Sequence, residues 1–437
     1  MKRLREPSTP AGPDWSHELA VYELNPRTAT PEGTLAALQE RLPELRDLGA
    51  GILWLMPIHP RGVERAFGSA YCVRDHRAVD PCLGDLDDLR RLIAAAHGLD
   101  MRVILDWAGR FTAWDHHLMS DHPEFYRRDE HGRALHSGPW KDIVPLDYDV
   151  GGVGRWAVES LRYWIREADV DGFRVDVALM YPEGFWEWAR PQLETARPLF
   201  LLAEAEGARF HPAFDMTYDW ALPPVLWSIA DGEAGPQAIA ELLESEASYP
   251  EGAVRMRHLV NHDTAREGYP GHYFDGRFDE DYLRGVPLPS KYGPGLAAFA
   301  VVCATLPGKP MLLEAMEEGR IDRATLGLPA GPVRWWRELH STLLNAYRSH
   351  RALHRGGLDW VEAPDGICAY RRFHGDQEVW VVLNLSPRPA SWAPPPGVDL
   401  RGRELLSGAV IADAPEALDL QPWDYRLVSS GPADRGS

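Results

Sequence analysis

Eight short aliphatic runs recur between Glu18 and Glu317, and the stretches between them carry apolar residues at helical spacing. The runs are "ELAVYEL" (Glu18–Leu24), "AGILWLMPI" (Ala50–Ile58), "MRVILDW" (Met101–Trp107) and "VDGFRVDVA" (Val170–Ala178). They continue with "PLFLLAEAE" (Pro198–Glu206), "AFDMTYDW" (Ala213–Trp220), "VRMRHLVNHDT" (Val254–Thr264) and "KPMLLEAME" (Lys309–Glu317). Near-continuous apolar runs are strands buried on both faces. Alternated with amphipathic segments such as "TLAALQERLPELRDLG" and "VGRWAVESLRYWIREA", they imply a parallel sheet covered by helices. Eight such units over roughly 330 residues fit a closed (β/α)8 TIM barrel better than a doubly wound sheet. No glycine-rich dinucleotide or phosphate loop follows any of the runs, which weakens the nucleotide-binding alternative further.

The alternation breaks twice. From Thr112 to Val150 there is no strand–helix unit, only a long excursion rich in aromatics, which predicts an ordered loop domain after the third strand. From about Arg355 the period changes to that of strands. "GICAYRRFHGDQEVWVVLNLS" reads as two strands joined by a hairpin turn at "HGDQ", and "ALDLQPWDYRLVSS" as a closing strand before a disordered tail "GPADRGS". The expected organisation is therefore a barrel in two parts, 1–111 and 151–354, a loop domain over 112–150, and a C-terminal antiparallel β-domain over 355–430.

Charge removes some partners. The formal net charge is −19 and no basic stretch interrupts it, so a polyanion such as nucleic acid is repelled. The N-terminal "MKRLREPSTPAGPDWSHE" is charged and then proline-rich, without the apolar core of a secretory signal. The longest apolar runs, such as "GLAAFAVVCATLPG", are too short to span a membrane. Cys72, Cys82, Cys303 and Cys368 match no metal or redox spacing and read as buried small hydrophobes in a reducing compartment. A Cys72–Cys82 bridge would need oxidising conditions. A cytoplasmic location is expected.

In a barrel of this type reactive groups sit where strands end at the C-terminal rim. Those ends hold Asp106, Arg174 with Asp176, Glu204, and His262 with Asp263. Taken singly, a carboxylate at a strand end is more often a helix cap or a salt-bridge partner. Together and in order, three carboxylates from three strand ends suit glycoside hydrolysis, with one attacking and another protonating the leaving oxygen. Arg174 and Asp176 are two apart and so share a face, which would keep Asp176 ionised. Glu204 ends an apolar strand, and desolvation would raise its pKa into the range of a general acid.

The ordered blocks "GILWLMPIHP", "VILDW", "GFRVDVA", "FLLAEAE", "LVNHDT" and "TLPGKPMLL" resemble those of the α-amylase superfamily, glycoside hydrolase family 13. So do "VYELNPRTATPEGTL", "GSAYCVRDHRAVDP", "PLDYD" and "HPAFDMTYDW" between them. The resemblance implies retaining chemistry on α-glucosidic bonds, with maltooligosaccharides or related α-glucans as partner. It implies Asp176 as nucleophile, Glu204 as acid/base and Asp263 as transition-state stabiliser. It further implies Arg174 as the arginine that positions the nucleophile, His262 as a hydroxyl ligand, Tyr71 as the ring on which the sugar stacks, and Asp106 as support. An α-glucan transglycosylase, and a degenerate amylase-like protein that binds sugar or another protein, remain alternatives.

Three departures from the family stand out. The first block continues to an asparagine and a histidine in the family, and here to Arg110 and Phe111. The asparagine commonly ligates calcium. Arginine has only donors, so no cofactor is expected and the calcium site would be lost at Arg110, its charge pairing with Asp142 or Asp147. Phe111 can stack on sugar in the substrate site but cannot donate to it. After the eighth strand the family's Gly-Gln-Glu becomes Ala315-Met316-Glu317.

Overall fold

The computed structural model describes residues 3–4, 12–136, 138, 140–263, 292–318 and 334–431. The expected tail beyond Gly431 and the end of the seventh run at Thr264 lie outside them.

Each of the eight runs contributes one strand: β1 (Ala20–Leu24), β2 (Ala50–Leu55), β3 (Arg102–Trp107), β4 (Gly172–Val175), β5 (Phe200–Ala203), β6 (Met216–Tyr218), β7 (Val254–Arg257) and β8 (Lys309–Leu313). All neighbours are parallel, and β8 pairs with β1 to close the barrel. The helices begin and end where sequence chemistry places them. Helix α1 (Leu35–Leu48) starts at Thr34, whose side chain accepts from the Ala37 amide, and stops at Gly49 with φ of 102°. Helix α2 (Leu86–His97) opens on a reciprocal box between Asp85 and Asp88. Helix α3 (Gly151–Ala168) resumes the alternation after the excursion.

Strand period two divides the core into two layers. Val21, Ile52, Trp54, Ile104, Phe200, Leu202, Met216 and Met256 fill the barrel interior. Their neighbours, such as Tyr22, Leu53, Leu105 and Leu201, face the helices. One interior position must be glycine. A Cβ on Gly172 would lie 1.9 Å from the Phe200 carbonyl oxygen on the adjoining strand.

The excursion is ordered by a two-stranded antiparallel ribbon, Phe111–Ala113 against Ile143–Pro145, and by a small core of Leu118, Phe125, Tyr126, Val144 and Leu146. The C-terminal strands β9 (Gly357–Trp360), β10 (Ile367–His374), β11 (Gln377–Asn384) and β12 (Tyr425–Ser430) form an antiparallel sheet. The turn at "HGDQ" is a two-residue hairpin, with Gly375 at φ of 58°. The last run is not one strand. Leu418–Leu420 pairs with Ala390–Trp392 in a separate ribbon, and the chain turns before β12. Pro422 has no amide to donate and Trp423 takes φ of 61°, so a ladder cannot run through them. The cysteines also differ in part from expectation. All four are free, and Cys82 is exposed while Cys72 is buried, its thiol set against the Asp142 carbonyl.

One side chain ties the C-terminal sheet to the barrel. Arg372, 1% exposed, donates to the carbonyls of Thr305, Leu353, Gly356 and Gly357 at 2.5–3.1 Å. Replacing it by leucine deletes a buried cationic donor shared by four acceptors. Arg372→Leu is expected to destabilise the chain by roughly 3 kcal/mol or more, seen as a lower midpoint in denaturant unfolding. Arg372→Lys, with fewer donors and no fork, should recover only part of that loss.

Candidate active site

The two-residue period that builds the barrel core also builds the site. Asp106 follows Ile104 by two, Glu204 follows Leu202 by two, Arg174 follows Gly172 by two, and Glu23 follows Val21 by two. Each charged residue therefore continues an interior row at the C-terminal end of its strand.

Arg174 is fully buried and gathers two of these carboxylates together with Asp176. Its Nη1 lies 2.9 Å from Asp106 Oδ1 and 2.8 Å from Asp176 Oδ1. Its Nη2 lies 2.8 Å from Glu204 Oε2. Its Nε donates to the Tyr218 hydroxyl at 3.2 Å. Glu204 Oε2 also accepts the Val177 amide at 2.6 Å. Asp176 Oδ2 and Glu204 Oε1 have no hydrogen-bond partner among the described residues. One oxygen of each carboxylate is thus fixed and the other is free for chemistry.

A second chain of contacts reaches across the barrel mouth. The Tyr71 hydroxyl donates to Asp106 Oδ2 at 3.0 Å, and Trp54 Nε1 donates to the same oxygen at 3.1 Å. The Tyr71 hydroxyl is 2.8 Å from His262 Nε2, and the two rings stack at 5.5 Å. On its other side His262 Nδ1 bonds Glu23 Oε1. Asp263 Oδ1 lies 3.3 Å from His262 Nε2, with its side chain about one-third exposed (35%). The structure therefore brings Asp106, Arg174, Asp176, Glu204, His262, Asp263 and Tyr71 together. It adds Glu23, Trp54 and Tyr218, which the sequence reading missed. Glu23 carried one signal, a carboxylate in the interior row of an otherwise apolar strand.

Burial sets the protonation states. Asp176 is pushed up to about 6 by burial, against the pull of Arg174. Glu204 is pushed up further, to about 8, again by burial, with the negative charges of Asp176 and Asp263 adding to it and Arg174 opposing. Near neutrality Asp176 is ionised and Glu204 carries a proton. Burial disfavours a charged His262, but Asp263 and Glu23 outweigh it and raise the imidazole to about 9. His262 therefore donates from both nitrogens, to Glu23 and towards Tyr71.

The departures resolve differently from expectation. Arg110 pairs with neither Asp142 nor Asp147. Its Nε donates to the Met180 carbonyl at 3.0 Å and its Nη1 to the Leu146 carbonyl. Asp147 is taken by Arg127 at 3.1 Å, and the Asp142 carboxyl, partly desolvated, is pushed up. Arg110 thus bridges the excursion and the segment after β4 through neutral acceptors. Phe111 is 3% exposed and packs with Cys72, Ile143 and Val177, edge-on to Trp140. It reaches the carboxylate cluster through Val177, a β-branched residue at φ of 40° whose amide holds Glu204. Ala315 stands at φ of 65°, a conformation that favours glycine. Glu317 beside it is buried and accepts the Tyr22 hydroxyl at 2.8 Å.

The model of the alpha-amylase catalytic domain matches residues 16–131. Alpha-amylase MalA of Haloarcula japonica is 27% identical over 428 residues, covering 91% of this chain and 59% of the relative. Alpha-1,4-glucan:maltose-1-phosphate maltosyltransferase 1 of Streptomyces coelicolor is 26% identical over 414 residues, covering 84% and 58%. The chain spans about three-fifths of the length of these curated relatives. Among solved structures, the noncanonic maltogenic alpha-amylase AmyB from Thermotoga neapolitana superposes with a TM-score of 0.78 at 25% identity, covering 95% of this chain and 97% of that one. The order of its blocks, its closed barrel and these likenesses agree in making the chain similar to α-amylases and their relatives.

Proposed function

We propose that this chain is a retaining α-glycosidase acting on maltooligosaccharides or related α-glucans. The observation that carries the reading is the division of oxygens around Arg174. Asp176 Oδ1 and Glu204 Oε2 are held, and Asp176 Oδ2 and Glu204 Oε1 have no partner among the described residues. Asp176 Oδ2 attacks the anomeric carbon while Glu204 gives the proton on Oε1 to the leaving oxygen. Glu204, now a carboxylate, then draws a proton from water, which hydrolyses the glycosyl–Asp176 ester. Asp263 and the charged His262 engage hydroxyls of the same sugar, and Tyr71 offers it a face. Phe111 acts on the site through Val177 and Glu204.

Release of reducing sugar from maltooligosaccharides tests this reading. Asp176→Asn should lower kcat at least about a thousandfold, and Glu204→Gln by about a hundredfold or more. If wild type and both variants are equally inert, the alternative of a sugar- or protein-binding member replaces it. The maltosyltransferases among the relatives favour one second reading, transglycosylation. It is recognised by products longer than the substrate.

The pH profile follows from the two carboxyls. Asp176 must be ionised, so activity rises as pH passes about 6. Glu204 must be protonated, so activity falls as pH passes about 8. A bell with those limbs in kcat/KM is expected. A profile flat from pH 5 to 9 would sink the assignment.

We propose also that Arg110 does the work of a calcium ion where the excursion meets the barrel. Its guanidinium already supplies positive charge to the carbonyls of Leu146 and Met180. Chelator should then leave the unfolding midpoint of the wild type unchanged, and Arg110→Ala should lower it. A stoichiometric calcium ion bound at this junction would refute the proposal.

A further inference from the structure

A cavity lies at the other end of the barrel. Its volume is about 400 Å3, within the range of small-molecule sites. Val254 and Arg255 at the start of β7 and Lys309 at the start of β8 line it from the barrel. Gly357 and Arg372 line it from the C-terminal sheet. The cavity thus sits at the N-terminal mouth, far from the ends of β3, β4 and β5 that carry the catalytic carboxylates.

Its lining holds five arginine and lysine side chains against two carboxylates, Glu246 and Glu251, in a chain whose net charge is −19. Several of these cations are already satisfied. Lys309 Nζ donates to the carbonyls of Ser16, His17 and Leu19, and Arg372 to four carbonyls. Arg255 and Arg257 share Glu246. Three basic side chains are not satisfied. The Arg355 guanidinium has no carboxylate or hydrogen-bond partner among the described residues. The His17 ring is 4% exposed and has no hydrogen bond there either. His354 Nδ1 is buried without a partner. The carbonyls around Lys309 are neutral, so its charge still acts on the cavity.

We propose that this cavity binds a small phosphorylated ligand, with the phosphate group held by Arg355, His17 and His354. A guanidinium and two imidazoles facing one space supply the directed donors that a phosphate's oxygens need. The volume leaves room for an organic group beyond the phosphate. The charge states agree with a site that lacks its counter-ion. Burial, then Lys309 and Arg355, push His17 down to about 4, with Asp14 opposing. Burial also pushes Lys309 down to about 7, with Glu18 opposing and Arg355 adding. An anion seated among them offsets the burial and the repulsion that push these groups down.

Calorimetric titration of the full chain with a hexose monophosphate, inorganic phosphate and the unphosphorylated hexose tests the proposal. The hexose monophosphate should bind and the plain hexose should not. Weaker binding by inorganic phosphate would mark the sugar as part of the ligand, and equal binding would mark phosphate alone as sufficient. Arg355→Gln should weaken binding by roughly tenfold to a hundredfold while glycosidase activity persists, because Arg355 is remote from the catalytic groups. Asp176→Asn should bind as wild type does, which separates this cavity from the active site. The proposal is overturned if neither phosphate compound binds, if Arg355→Gln binds as tightly as wild type, or if Asp176→Asn abolishes binding.

Discussion

The buried guanidinium of Arg174 is the contact on which the active site depends. It has no exposed surface, and a charge in that position is tolerated only with close counter-ions and satisfied donors. Asp106, Asp176 and Glu204 provide the charge and Tyr218 accepts from the remaining nitrogen. Four strands therefore have to register against one side chain. That requirement gathers the carboxylates from β3, β4 and β5 around one point. It also leaves more negative than positive charge around the arginine. Burial, with that excess adding to it, lifts Glu204 above Asp176 and separates a protonated carboxyl from an ionised one.

The same site stores backbone strain. Val177 occupies the left-handed region, which costs a β-branched residue on the order of 1–2 kcal/mol. That turn aims its amide at Glu204 Oε2. Phe111, Cys72 and Ile143 pack around the Val177 side chain and hold the turn in place. A ring in this position of the first block thus bears on Glu204 by supporting the loop that orients it. This is packing by an apolar residue, and it needs no polar contact from Phe111.

Much of this was legible in the sequence because it rests on period. Runs buried on both faces give the barrel, and the interior row gives the positions of Asp106, Arg174 and Glu204. What was hidden depends on distant partners. Glu23 pairs with a histidine 239 positions away, and nothing in "AVYEL" names that partner. Arg110 was expected to seek a carboxylate and instead takes two carbonyls, which every residue carries and no sequence pattern marks. The break in "ALDLQPWDYRLVSS" was within reach, since a proline in a run argues against a continuous strand. The free and exposed Cys82 shows that the burial preference of cysteine is a tendency, not a rule for one position.

The two ends of the barrel differ in how their cations are held. At the C-terminal mouth Arg174 is met by carboxylates, so its charge is more than cancelled and the surroundings favour protons on acids. At the opposite mouth Lys309 and Arg372 are met by carbonyl dipoles, which satisfy their donors without cancelling their charge. Arg110 is met in the same way at the junction of the excursion. Carbonyl-held cations make good struts, because they link segments without needing an acid placed opposite. Where two of them line one cavity beside an arginine unpaired among the described residues, the uncancelled field accumulates. The same chemistry that joins the C-terminal sheet and the N-terminal segment to the barrel thereby gives the mouth between them its appetite for an anion.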